Sequence, residues 1–184
     1  MFTHKLTDDA ELRLLEPRHA EELYLLVDTN REHLRRWLPW VDSTKSADDI
    51  VAFIKQQLQR LATNGTTVAS IWHENNLAGI ISLNSSSVRC MEIGYWLGEK
   101  YQGKGLMTAA CKAMIRYSFD ELDMNRIEIR VEPENGRSKA VPGRLGFTYE
   151  GTLRQKGMNA DGKAVDLMMF SLLKEEWEAQ SHVC

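Results

Sequence analysis

Between Met91 and Thr108 a mostly apolar run, Met91 to Leu97, passes through a glycine-rich turn, Gly98 to Gly105, into residues that open a helix. A strand feeding a helix in this way restricts the chain to folds with a crossover behind that strand. It also builds an anion site. The first amides of a helix have no acceptor within it and stand at the positive end of its dipole, so main chain alone can hold a phosphate there. Gly103 and Gly105 permit the bent or left-handed backbone such a turn needs and keep side chains out of a ligand's path.

The chain around this unit reads as one α+β domain over 1–184, with 175–184 as a C-terminal tail. Glu11 to Leu15 alternates as a short strand, and Pro17 opens a helix through Ala20, Leu23, Leu26 and Val27. A second helical piece, Arg31 to Trp37, stops before Pro39. Ser46 and Asp49 form a capping box for a helix that carries Ile50, Ile54, Leu58 and Leu61 and ends at Asn64-Gly65. Strands follow at Thr67 to His73, Leu77 to Asn84 and, after a serine-rich turn at 85–87, Cys90 to Leu97. A helix from Leu106 to about Leu122 leads to the alternating strand Arg126 to Glu132, which a right-handed crossover makes parallel to the strand before the turn. A short helix after Asn135, a strand from Phe147, a turn at Asp161-Gly162 and a strand from Val165 to Leu172 complete the chain.

Charge and composition narrow the ligand. A net charge of -3 over 184 residues speaks against a general nucleic-acid binder, so an anion must be met by local groups. No apolar run nears the roughly 18 residues of a membrane span, and the cysteines at 90, 111 and 184 make neither a CxxC pair nor an even set. Neither a disulfide framework nor a zinc site is expected, and a cytoplasmic, metal-free protein fits best. His4, His19, His33, His73 and His182 show no metal-ligand spacing.

Three phosphate-binding patterns compete for the turn. Gly98 to Gly105 follows the P-loop pattern except at its end, where Gly105 brings no hydroxyl for magnesium. A dinucleotide fingerprint would need a third glycine where Thr108 stands. The third pattern is that of coenzyme A. Lys100-Tyr101-Gln102-Gly103-Lys104-Gly105 resembles the [QR]-x-x-G-x-[GA] signature of GNAT N-acetyltransferases, with lysine where Gln or Arg is usual. Glu92 to Leu97, Asn135-Gly136-Arg137-Ser138 and Leu145-Gly146-Phe147 stand in the order and spacing of the ribosomal-protein N-terminal acetyltransferase branch, and the resemblance covers nearly the whole chain.

That resemblance implies a single-domain GNAT fold: a mixed, mostly antiparallel sheet of six or seven strands with helices on both faces. Its fourth and fifth strands, those before and after the crossover helix, are splayed to admit pantetheine. It further implies that the diphosphate of acetyl-CoA lies on the amides of Gln102, Gly103, Lys104, Gly105, Leu106, Met107 and Thr108. Lys104 offers a cation there, pantetheine pairs with main chain at Trp96 and Leu97, and Asn135 binds its amides.

Direct transfer of an acetyl group to an amine sets three tasks: an acceptor must lose a proton, an oxyanion needs a donor, and the thiolate takes a proton. Glu92, flanked by apolar residues, is the candidate base; pairing with a basic neighbour is its structural alternative. Ser138 is the candidate partner of the thiolate, with helix N-capping as its structural alternative. Glu150 is a weaker base candidate, main chain near Leu97 is the candidate oxyanion donor, and Gly157 falls where related enzymes carry an acceptor-side acid. The N-terminal amine of a ribosomal protein is the leading acceptor, and Arg31, Arg35 and Arg36 beside Trp37 and Trp40 offer a place for an acidic partner. Small amines such as polyamines, amino acids or aminoglycosides, and a non-catalytic acyl-CoA-binding module, stay open as alternatives. The resemblance also suggests a homodimer.

Overall fold

The computed structural model describes residues 3–181, so His182 and Cys184 lie outside the described residues. Its strands are β1 (Thr3–Lys5), β2 (Ala10–Leu14), β3 (Thr67–His73), β4 (Asn76–Ser87), β5 (Cys90–Leu97), β6 (Arg126–Val131), β7 (Thr148–Met158) and β8 (Ala164–Leu173). They form one sheet in the order β1, β2, β3, β4, β5, β6, β8, β7. β5 and β6 run parallel, and the other neighbouring pairs are antiparallel. The sheet has eight strands rather than six or seven. The extra one, β1, is three polar or half-exposed residues at the sheet edge, too short for alternation to reveal it.

The helices are α1 (Ala20–Thr29), α2 (Arg31–Arg35), α3 (Ala47–Asn64), α4 (Leu106–Asp120), α5 (Gly136–Arg144) and α6 (Lys174–Ser181), with 3-10 turns at Pro17–His19, Pro39–Ser43 and Glu99–Tyr101. Residues Val68–His73 of β3 and Leu77–Ile81 of β4 are buried without interruption. Alternation sends neighbouring side chains to opposite faces, so this part of the sheet is covered on both. α1 and α3 pack against β4 and β3, α4 against β4 and β5, and α5 against β6. No described helix is long and apolar enough to cross a membrane.

Local chemistry explains the ends of α3. Ser46 Oγ accepts from the Asp49 N–H at 3.3 Å, and Asp49 Oδ2 accepts from the Ser46 N–H at 3.0 Å. Gly65 closes the helix at φ +73°. Ser46→Ala is expected to cost about 1 kcal/mol of stability. A thermal melt checks this as a fall of roughly 2–4 °C in the midpoint.

Two expectations are corrected here. The serines at 85–87 do not form the turn: they end β4, bonded to β5 through Ser85↔Met91 and Ser87↔Cys90, and the chain reverses at Val88 and Arg89 (φ +53°). Serine's turn preference gives way to cross-strand pairing. The stretch read as a tail carries α6 up to Ser181, and Trp177 is buried in the core.

The feature that positions the site is a ladder that stops. β5 and β6 pair only at Cys90↔Arg126, Met91↔Ile127 and Glu92↔Glu128. Beyond Glu92, β5 stays with β4 from Ile93↔Leu83 to Leu97↔Gly79. Beyond Glu128, β6 stays with β8 from Ile129↔Phe170 to Val131↔Met168. The expected splay of the fourth and fifth strands is thus the divergence of β5 and β6, which leaves facing main-chain edges without a sheet partner.

Candidate active site

At the open end of the splay lies the glycine turn. Gly103 (φ +76°) and Gly105 (φ +78°) are left-handed, and a Cβ at either would meet nothing within 4 Å. Backbone conformation, not crowding, is what demands glycine there. Gly105 is the N-cap of α4, and no side chain caps that helix. The helix's own bonding starts with Ala109 N–H donating to Gly105 O at 3.0 Å, so the amides of Leu106, Met107 and Thr108 have no acceptor within it.

Gln102 departs from expectation. Its N–H already donates to Glu99 O at 3.2 Å, which removes it from the anion-binding amides. Its side chain instead joins three elements: Nε2 lies 2.7 Å from His33 Nε2 of α2, and Oε1 accepts from the Arg137 guanidinium of α5. Lys100 turns away to stand 4.8 Å from the centroid of the Tyr101 ring. Lys104 is exposed beside the turn. Arg137 is therefore a cation of the turn that the sequence reading left unassigned, although it sits inside the Asn135 to Ser138 motif.

Glu92 closes the ladder at the base of the splay. It does not stand alone among apolar groups, because its buried neighbours Met91 and Ile93 project to the opposite face. Arg130 Nε donates to Glu92 Oε1 at 2.8 Å, and Arg130 Nη2 donates to Oε2, a bidentate pair across the diverging strands. Both side chains are about one-quarter exposed, at 24% and 25%. The Arg130 pKa is raised, first by this hydrogen bond, with burial opposing it. Each Glu92 oxygen retains a lone pair for a further donor.

Glu150 is removed as a base. Arg126 grips it through Nη1 at 2.7 Å and Nη2 at 2.6 Å, and Ser171 Oγ donates to it at 2.7 Å. Hydrogen bonds from Arg126 and then Ser171 pull its pKa from 4.5 to about 2. A depressed carboxylate pKa contributes stability above pH 4.5 that is lost as pH falls toward 2. Glu150→Gln is therefore expected to lower the urea midpoint slightly at pH 7, solvent screening most of the pair's worth, and to lower it less and less as pH falls toward 2. Gly157, the position that the resemblance sets against an acceptor-side acid, pairs with Val165 in the hairpin of β7 and β8 and brings no side chain.

On the opposite face of β5, Tyr95 Oη–H donates to the Ser138 carbonyl at 3.0 Å, and Ser138 Oγ–H donates to Tyr95 Oη at 3.3 Å. Helix capping, the structural alternative for Ser138, belongs to Asn135, whose Oδ1 accepts from the Ser138 N–H at 3.1 Å. Trp96 is half-buried, with its ring 6.0 Å from that of Trp40, and Leu97 is buried. Cys90 and Cys111 are buried free thiols, and burial raises the pKa of both.

The arginines near the tryptophans are mostly committed. Arg31 donates to Val41 O at 2.6 Å and Thr44 O at 2.9 Å and pairs with Asp28. Arg35 pairs with Asp42 at 2.9 Å and with Asp161, in the turn between β7 and β8, at 3.0 Å. Among the described residues only Arg36 of the three has no carboxylate, lying 5.1 Å from the Trp37 ring centroid. A recess of about 350 Å³ between α2 and that turn is lined by Glu32, Arg35, Arg36, Asn159, Ala160 and Asp161.

Residues 10–148 match the family model described as acetyltransferase (GNAT) domain. The chain is 39% identical over 183 residues to YdaF of Bacillus subtilis strain 168, covering 98% of this chain and 100% of that one. Its structure resembles the microcin C7 self immunity acetyltransferase MccE in complex with acetyl-CoA and AMP, with TM-score 0.87 and 30% identity over 94% of this chain and 96% of the other. It also resembles RimL, the ribosomal L7/L12 alpha-N-protein acetyltransferase in complex with coenzyme A, with TM-score 0.89 and 26% identity over 95% and 99%. A diverging parallel strand pair, an uncapped helix start behind a glycine turn and these matches together place the chain in the GNAT family of acetyltransferases.

Proposed function

We propose that this acetyltransferase moves the acetyl group of acetyl-CoA to a protein N-terminal amine, with a ribosomal protein as acceptor. The observation that carries the reading is the unpaired length of β5 and β6 beyond Glu92↔Glu128, which ends at the free amides of α4. A pantetheine arm is amide-bearing and extended, so it can pair with main chain at Trp96 and Leu97 as an added strand does. Gly103 to Thr108 hold the diphosphate, Lys104 and Arg137 supply charge, and Asn135 meets the arm's amides through the Nδ2 its cap leaves free. Ser138 stands by the sulfur.

Glu92 serves the other face. Anchored by Arg130, it accepts a hydrogen bond from the incoming amine or from an intervening water, and so orients the lone pair toward the thioester carbonyl. An α-amine has a pKa near 8 and lysine one near 10.4, so at pH 7 about a tenth of the first and under about a thousandth of the second is neutral. A carboxylate already engaged by a guanidinium suits the acceptor that asks least of it. A second reading, a small-molecule amine, is favoured by the Arg35–Asp161 bridge, which joins α2 to the β7–β8 turn.

Thiol release from acetyl-CoA, followed with N-terminal peptides, their N-blocked forms and diamines, tests the proposal. Turnover confined to free N-termini is expected. Turnover confined to diamines would establish the second reading, and the absence of turnover with every amine would leave only an acyl-CoA-binding module.

A further inference from the structure

α5 carries a proline in its interior, Pro142, four residues after Ser138. In an α-helix the carbonyl of residue 138 accepts from the N–H of residue 142, and proline has none. Its ring also crowds that carbonyl. The structure shows what takes the missing donor's place. Tyr95 Oη–H, arriving from β5, donates to the Ser138 carbonyl at 3.0 Å and in turn accepts from Ser138 Oγ–H at 3.3 Å. With Asn135 Oδ1 on its N–H, every polar group of Ser138 is engaged.

Tyr95 lies three residues beyond the last β5–β6 pair, where the strands have parted, and in β4 it pairs with Ile81. Its bond to α5 is therefore a side-chain tie between the two sides of the splay, made where the main-chain ladder cannot make one. Glu92–Arg130 is a comparable tie on the other face. Burial, then the neighbouring Cys111, holds the Tyr95 pKa well above its ordinary value, so the phenol keeps the proton it donates.

We infer that Tyr95 is a positioning residue: Pro142 frees the Ser138 carbonyl, and the Tyr95 phenol docks on it, fixing the first turn of α5 and the Ser138 hydroxyl at the coenzyme side of the gap. The inference rests on the proposed role of Ser138 only for its catalytic consequence. The tie itself stands on the hydrogen bonds and on proline's missing donor.

The test uses the full chain with Tyr95→Phe, Pro142→Ala, their combination and Ser138→Ala. Tyr95→Phe keeps the ring and removes both bonds. It is expected to speed amide hydrogen exchange at residues 137–141 by about tenfold and to lower kcat by about tenfold, with the KM for acetyl-CoA nearly unchanged. Pro142→Ala in that background returns an N–H to the Ser138 carbonyl. Exchange is then expected to slow again while kcat stays low, a split that a merely structural role would not produce. In a Ser138→Ala background, Tyr95→Phe should lower kcat no further. Unaltered exchange and kcat in Tyr95→Phe, or recovery of both in the double variant, would overturn the inference. Faster exchange in Tyr95→Phe together with a normal rate in Ser138→Ala would uphold the tie and remove Ser138 from the proposed chemistry instead.

Discussion

Glu92→Gln is expected to slow acetyl transfer about 100-fold or more at pH 7 while acetyl-CoA binds as before. The carboxylate sits at the last rung of the β5–β6 ladder, on the face opposite Tyr95 and Ser138, and the proposed mechanism gives that face to the acceptor rather than to the coenzyme. Glutamine preserves the shape and one acceptor oxygen for Arg130, but it loses the charge and turns an NH₂ toward a guanidinium nitrogen. The fold should therefore lose some stability, which a melt records separately. Rates with saturating peptide, read by thiol release, and calorimetry with acetyl-CoA separate the two effects. A loss of threefold or less, on the order of 0.6 kcal/mol, would make Glu92–Arg130 a strut of the splay and nothing more.

Gly103→Glu is expected to weaken acetyl-CoA binding about 100-fold or more. Two costs add. A side chain at φ +76° costs about 1–2 kcal/mol of backbone strain. A carboxylate about 5 Å from a diphosphate charge adds roughly 3 kcal/mol of repulsion at an effective dielectric near 20. Gly103→Ala isolates the first cost, because a Cβ there meets nothing within 4 Å. Its expected loss is about tenfold, since about 1.4 kcal/mol is a factor of ten. Equal calorimetric affinity in the native protein and Gly103→Glu would remove the glycine turn from the coenzyme site.

Much of this architecture is legible in the chain because its causes are local. The Ser46–Asp49 capping box, the left-handed Gly65, Gly103 and Gly105, and the alternation of Arg126 to Val131 each follow from a few adjacent residues. What the sequence hides depends on partners far along the chain. Glu92 looks isolated among apolar residues, but its neighbours in sequence face away and Arg130, 38 residues on, faces it. Ser138 looks like a cap until Asn135 is seen to hold its amide. Glu150 looks available until Arg126 and Ser171 close on it. Pro142 and Tyr95 are each unremarkable alone, and only the missing N–H of one explains the bond made by the other. The splay itself is a matter of register: β5 follows β4 and β6 follows β8, and nothing within either strand announces where they part.

The most direct measurement is a crystal structure of the protein grown with acetyl-CoA. The account predicts the pantetheine arm between β5 and β6 alongside Trp96 and Leu97, with diphosphate oxygens about 3 Å from the amides of residues 103–108. Coenzyme bound anywhere else, or β5 and β6 paired through to Leu97 and Val131 with no room between them, would contradict it.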